Sequence, residues 1–502
     1  MNMSFGTSER MRRLFGWPSA AVLLLSMAAF ANAAMYISYA AIPFVTSDGW
    51  YFVDGFLQKY YNGGVTLLDL YMKRSVDDHA QPIHKLLLLW NADHFALDFV
   101  VESYIGLAIA GLTWLVMFLA MRHDNRAQGA WWVLPATATA ASFVSLSGGM
   151  IFNWSLVTLG YLAPLTLIAM AMTSWLAVDR GRWLPFLLVT PFFIFTMDNT
   201  AVIAALSVIL TLLLRAVRQR GQGWQATAAV LTVIALSVVG YRLLSSMYLH
   251  AGMAPSPSGG SHATALLSHG WQELTNMMLG LAALTIADRN GLLTYLFTSP
   301  DVPHRILAAC VILAHVWFWW RAARDHWNRT QFLAVAMMLF CYGAAAGIVL
   351  TRVPVFGPEY VYQQRYLMMY QLGTVALALM AAGSRWPSWT RLQHTLVSIG
   401  LIALLLLQPA LSWATWKDAK AVQAYGNKVG RQMILLGRDP GAQLANCLPI
   451  LVVCQADRAE RIRSIELLRK YQLNAYSPAL LKRYSMETLR RDPGPAEVVT
   501  EP

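Results

Sequence analysis

Between Ser47 and Lys85 the chain gathers the residue types that acid–base chemistry needs: Asp48, Asp54, Asp77, Asp78, His79, His84 and Lys85 fall within about forty positions. A carboxylate in a partly dry site can take the proton of an incoming hydroxyl. Asp48 is the first candidate for such a base and Asp78 the second, with His79 as a catalytic partner. Asp54, His84 and Lys85 are candidate substrate-binding groups. A second cluster runs T-R-V-P-V-F-G-P-E-Y-V-Y-Q-Q-R from Thr351 to Arg365. Arg352 and Arg365 offer guanidinium forks that can hold a phosphate through two parallel hydrogen bonds. Tyr360, Tyr362 and Tyr366 could line a sugar or seat an interface.

Each of these residues also has a purely structural reading. Asp48, after Ser47 and ahead of an apolar run, has the place of a helix cap. The Asp77-Asp78 pair suits a solvated turn, and Arg365 suits an anchor where a membrane helix meets water. His79 and His84 are five positions apart, not the four of a helical zinc pair, so no metal ligands are assigned. A divalent metal is the one cofactor left open. No phosphate-binding loop, nucleophile elbow or dinucleotide fingerprint is present.

Composition says what must position these groups. Of 502 residues, 57% are hydrophobic and 13% charged, about half the charge of a soluble domain. The expected fold is an all-α, multi-pass membrane protein. Its +12 formal charge lies in short basic clusters between apolar runs, a pattern that orients a chain in a bilayer and argues against nucleic acid as a partner. Eleven apolar runs between Trp17 and Trp413 predict about 11 membrane helices, several of them short for a hydrocarbon core of about 30 Å. Ala31-Asn32-Ala33 resembles a signal-peptidase site, but apolar character continues through Met35, Ile37 and Phe44, which favours an uncleaved first helix.

Arginines fix the expected orientation. Alternate connections carry Arg122 and Arg126, Arg180 and Arg182, Arg215 to Arg220, Arg321 to Arg329, and Arg385 and Arg391; with the N-terminal basic cluster they should face the cytoplasm. Both ends of 183–214 are arginine-flanked, so that run must go out and return, turning near Asp198-Asn199-Thr200. The opposite, periplasmic face then collects the first loop (47–98), a loop at 248–304, the 351–365 segment and the tail. The expected division is a membrane domain over 1–415 and a small α or α/β outer domain over 416–502. Asp457–Tyr471 predicts one amphipathic helix in that tail, through Ile462, Ile465, Leu468 and Tyr471. An oxidising compartment and six intervening residues predict a disulfide between Cys447 and Cys454, two unpaired thiols being the alternative.

Asp48 just past the first helix, Asp78-His79-Ala80-Gln81-Pro82-Ile83-His84-Lys85 before the second, and the late Gln364-Arg365-Tyr366-Leu367 together resemble the GT-C superfamily of membrane glycosyltransferases. The likeness covers Met1 to about Trp413. Related bacterial proteins often carry an acidic-His-Arg motif in the first loop; here Ala80 stands after Asp78-His79, so the arginine role is unfilled or passes to Lys85. The resemblance implies an inverting transfer from a polyprenyl-phosphate-linked sugar to a cell-envelope glycan, lipid or protein acceptor, at the periplasmic face of a bacterial inner membrane. A lipopolysaccharide O-antigen polymerase or ligase is the rival within that class, although such enzymes place their main outer loop later. A polytopic transporter is the rival outside it, for which Asp198 and the short spans around it are the only sign.

A reporter fused after Trp416 should therefore be active only if it requires the periplasm; cytoplasmic activity there would invert the whole assignment.

Overall fold

The computed structural model describes residues 17–73, 79–125, 130–219, 223–246, 269–384, 389–444 and 446–488. Fourteen longer helices organise them: α1 (Trp17–Ala40), α2 (Pro82–Phe95), α3 (Phe99–Asp124), α4 (Val133–Phe143), α5 (Leu162–Arg180), α6 (Trp183–Thr196), α7 (Thr200–Arg218), α8 (Trp224–Leu244), α9 (Trp271–Leu284), α10 (Asp301–Arg324), α11 (Arg329–Phe356), α12 (Leu367–Gly383), α13 (Arg391–Arg438) and α14 (Arg458–Lys470). Among the described residues there is no β-strand, so the outer part is α-helical.

Nine of the described helices are long and apolar enough to cross a membrane: α1, α3, α5 with its leading turn, α7, α8, α10, α11, α12 and α13. Two more expected spans, α4 and α6, are apolar but hold only 11 and 14 residues, about 16 and 21 Å at 1.5 Å per residue. The backbone after α4, from Val144 to Gly148, is irregular and buried. Such backbone is tolerated at membrane depth only when its polar groups find protein partners. Here Tyr161 donates to the Phe143 carbonyl at 2.8 Å, Thr415 to that of Leu146 at 2.6 Å, and Gln371 to the Ser147 hydroxyl.

Helix ends gather into two groups. At one, Arg215 pairs with Asp179 and lies 3.9 Å over the Trp175 ring, while Arg321 meets Asp325 at 2.7 Å. There too, Asp124 accepts from Thr330 N and Oγ1, and Asn125 Nδ2 donates to the Ala382 carbonyl. These are the arginine-bearing connections, drawn together as the alternation requires. Every described candidate residue lies toward the opposite end, called here the outer end.

The expected division at residue 416 falls inside a single helix. α13 has 48 residues, about 72 Å, more than twice a bilayer core, and its far end joins the tail. The first loop and the tail bury one common core, in which Phe44, Trp50, Val53 and Phe56 pack with Val429, Met433, Leu468 and Leu473. The predicted 457–471 helix is α14, capped by Asp457 onto the Glu460 amide. Cys447 and Cys454 are joined by a disulfide in the segment before it.

Asn474 fastens that core. Its Oδ1 accepts from Val45 N at 3.0 Å, and its Nδ2 donates to the Pro43 and Leu97 carbonyls at 3.0 and 2.5 Å. Nearby, Asp98 caps α3 through Val100 N and takes Arg483 and Tyr484 from the end of the tail. Removing the Asn474 amide would strand these buried groups, each worth about 1–3 kcal/mol when left unpaired. Its backbone also has a φ of +52°, a region where alanine is strained. Asn474→Ala should therefore expose residues 43–45 and 97–98 to hydrogen exchange and speed proteolysis of the tail. Unchanged protection would refute its fastening role.

Candidate functional site

The end of the first loop meets the turn between α6 and α7. Asn199 Nδ2 donates to His79 Nδ1 at 2.8 Å; an amide nitrogen can only donate, so a neutral His79 keeps its proton on Nε2. Asp198 closes the same turn, its Oδ1 accepting from Thr200 N at 2.8 Å and from Thr200 Oγ1 at 2.5 Å. Tyr241 of α8 donates to the Ala80 carbonyl at 3.2 Å. Beneath these contacts Ile83 and Leu87 pack against Leu162, Met197 and Ala201.

Pro82 starts α2 at a position where its missing N–H costs nothing, and this places His84 in the first turn. His84 Nδ1 is fully enclosed and has no hydrogen-bond partner. Burial holds its pKa below the usual 6.5, with the Asp198 charge opposing. The enclosed His84 nitrogen is thus within electrostatic reach of the Asp198 carboxylate. Asp198, Asn199 and Tyr241 were not assigned site roles from sequence; the only signal was an Asp-Asn-Thr turn forced by the arginine count.

Two candidates in the first loop are occupied by the protein itself. Lys85 Nζ donates to the carbonyls of Asp69, Leu70 and Met72 at 2.7 to 3.1 Å. Asp54 is buried in a π-helical turn, Phe52–Leu57, where it faces Ser464 at 3.4 Å and Arg463 at 3.7 Å in α14. Lys85 therefore folds the loop, and Asp54 attaches the tail. Lys59 and the Thr66 donors, against the opposing effect of burial, hold the Asp69 carboxyl below its ordinary range.

Asp48 is exposed and precedes a one-turn helix, Gly49–Tyr51, yet its carboxylate makes no capping hydrogen bond. The Ser47 amide beside it donates to the Ile450 carbonyl at 2.6 Å, so the disulfide segment borders this position. Asp77 and Asp78 lie outside the described residues.

The second cluster runs from the last turns of α11 into the turns that follow it. Arg352 is half-buried in the last turns of that helix. Arg365 donates to the Tyr360 hydroxyl, its guanidinium lies 5.0 Å from the Tyr366 ring centre, and its Nε is enclosed without a partner. No described carboxylate forms an ion pair with either arginine. Gln364 donates to Asp288, a fully buried carboxylate, at 3.0 Å, which fixes the turn bearing Arg365. Burial pushes the Asp288 carboxyl up, against its hydrogen bonds.

The two clusters share a level. Ile203 of α7 sits against Gly343 and Gly347 of α11. Asp198 precedes Ile203 by five residues and Arg352 follows Gly347 by five, so each lies roughly 7 Å beyond that contact toward the outer end. Tyr362, by contrast, turns away to Arg289, whose guanidinium is 5.7 Å from its ring centre. Among the described residues no group of three or more His, Cys, Asp or Glu could hold a metal ion.

Compared with protein-family models, curated proteins and solved structures, the chain finds no match.

Because the folded pKa of His84 is depressed, its neutral form is the one that packs. That stability is present above the unfolded value of 6.5 and is lost as pH falls below it toward the folded pKa. Wild-type protein should lose more thermal stability between pH 7 and pH 5 than His84→Gln; equal losses would show that the imidazole is not titrating in that packing.

Proposed function

We propose that this chain is an integral membrane glycosyltransferase of GT-C type, inverting, which moves a sugar from a polyprenyl-phosphate-linked donor to a cell-envelope glycan, lipid or protein. It works in a bacterial inner membrane with its outer end in the periplasm. The observation that carries this reading is the common level of Asp198, in the turn that holds His79, and Arg352, near the end of α11.

Asp48 takes the proton of the acceptor hydroxyl, whose oxygen attacks the anomeric carbon. The bond from that carbon to the donor's phosphate oxygen breaks, and its electron pair leaves with the phosphate. Arg352 and Arg365 offset the charge that develops there. A lipid phosphate is a good enough leaving group to depart without a protein acid. His79, set by Asn199, and His84 line the acceptor's approach. Lys85 and Asp54, whose polar atoms are engaged within the fold, support the site and do not touch substrate.

Since the Asp48 carboxylate makes no cap bond, Asp48→Asn changes charge and little else. Sugar transfer in membranes with matched amounts of folded protein should fall by about 10²–10⁴. Arg365→Lys should retain more activity than Arg365→Ala, because it keeps charge and loses only the fork. Normal transfer by Asp48→Asn would move the base to Asp78, and full activity of Asp78→Asn as well would end the carboxylate mechanism.

A further inference from the structure

A separate polar cavity of about 200 Å³ opens at the outer end between α9, the start of α10 and the short turn Pro358–Tyr362. Arg289, Asp301, His304, Arg305, Glu359 and Tyr362 carry its chemistry. The charges of the described lining residues balance: Arg289 meets Asp301 at 2.7 Å and Glu359 at 3.8 Å, and Arg305 is the only other cation among them, so two guanidinium groups face two carboxylates. A balanced lining offers a phosphate dianion no net attraction. What it offers is donors and acceptors side by side, which suit a ligand whose every polar group both gives and takes a hydrogen bond.

Two further observations narrow that ligand. His304 is 6% exposed, lines the cavity, and has an Nε2 that is enclosed without a hydrogen-bond partner. A buried ring nitrogen left unmet is costly. The Tyr362 ring adds an apolar surface 6.4 Å from the His304 ring centre, beside the Arg289 guanidinium, and its hydroxyl end lies so close to Gly280 that any Cβ there would overlap it. The volume lies below the roughly 300–1,000 Å³ typical of sites for drug-sized ligands, enough for one ring and not for an extended chain.

We infer that this cavity binds a single neutral pyranose ring, the hydroxyls bridging Arg289, Asp301 and Glu359 while a C–H face rests on Tyr362. As the terminal sugar of an acceptor glycan it would be held apart from the donor's phosphate. Calling it the acceptor rests on the glycosyltransferase reading; the binding of a neutral sugar does not.

The test is retention of detergent-purified full-length protein on an array of neutral, uronic-acid and phosphorylated glycans. Retention on neutral glycans is expected, weakened at least tenfold by Glu359→Gln, which alters an exposed carboxylate, and by Gly280→Ala, whose Cβ would displace Tyr362. Matched melting temperatures of both variants with wild type would exclude misfolding as the cause. Retention on no glycan, preference for phosphorylated or uronic-acid glycans, or undiminished retention by both variants would overturn the inference. Neutral-glycan retention by a protein that transfers no sugar would overturn only the glycosyltransferase reading.

Discussion

The outer end depends on how a long polar loop is closed. Pro43 and Val45 leave the first membrane helix and Leu97 returns to the next; their backbone groups are brought to one side chain, Asn474, from more than 370 residues downstream. Without that amide the two mouths of the loop would each need other partners in a place with little water. With it, loop and tail condense on a shared apolar core, and Asp98 adds a second tie through Arg483 and Tyr484. The first loop is therefore half of a small domain whose other half lies more than 370 residues further along the chain.

This arrangement explains which polar residues are free for chemistry. A loop rich in backbone carbonyls and carboxylates must satisfy many of them internally, and it spends Lys85 on three carbonyls, Asp69 on Lys59 and Thr66, and Asp54 on α14. His79 and His84 are held where the loop touches the α6–α7 turn, and one ring nitrogen of His84 remains unused. Across the same end, the tyrosine rings around Arg365 orient a guanidinium that no described acid neutralises.

Much of this order was legible in the sequence because it is local. Apolar runs locate the helices, Asp457–Tyr471 has the period that becomes α14, and the alternation of arginines foretells the turn at Asp198. What escaped was long-range or continuous. Nothing at Lys417, Asp418 or Lys420 shows that α13 continues past the membrane, since the apolar signal stops while helix-forming residues go on. A buried lysine gives no sign that it will meet three carbonyls, and Asp54 reads as reactive because its partners lie some 410 positions away. Asp288 and Tyr241 looked ordinary for the same reason: each acquires its role only by contact with Gln364 or Ala80.

The length of α13 has a mechanical side. The helix is gripped where it leaves the membrane bundle: Ser412 and Trp416 bond to Asn32, and Thr415 to Leu146. Beyond that grip a lever of some twenty residues, about 33 Å at 1.5 Å per residue, carries the tail and, through it, the first loop. The grip is a fulcrum of three hydrogen bonds, and below it Pro409 removes one rung of the helical ladder. A rotation of about 5° at that fulcrum would swing the far end by roughly 3 Å, the length of one hydrogen bond.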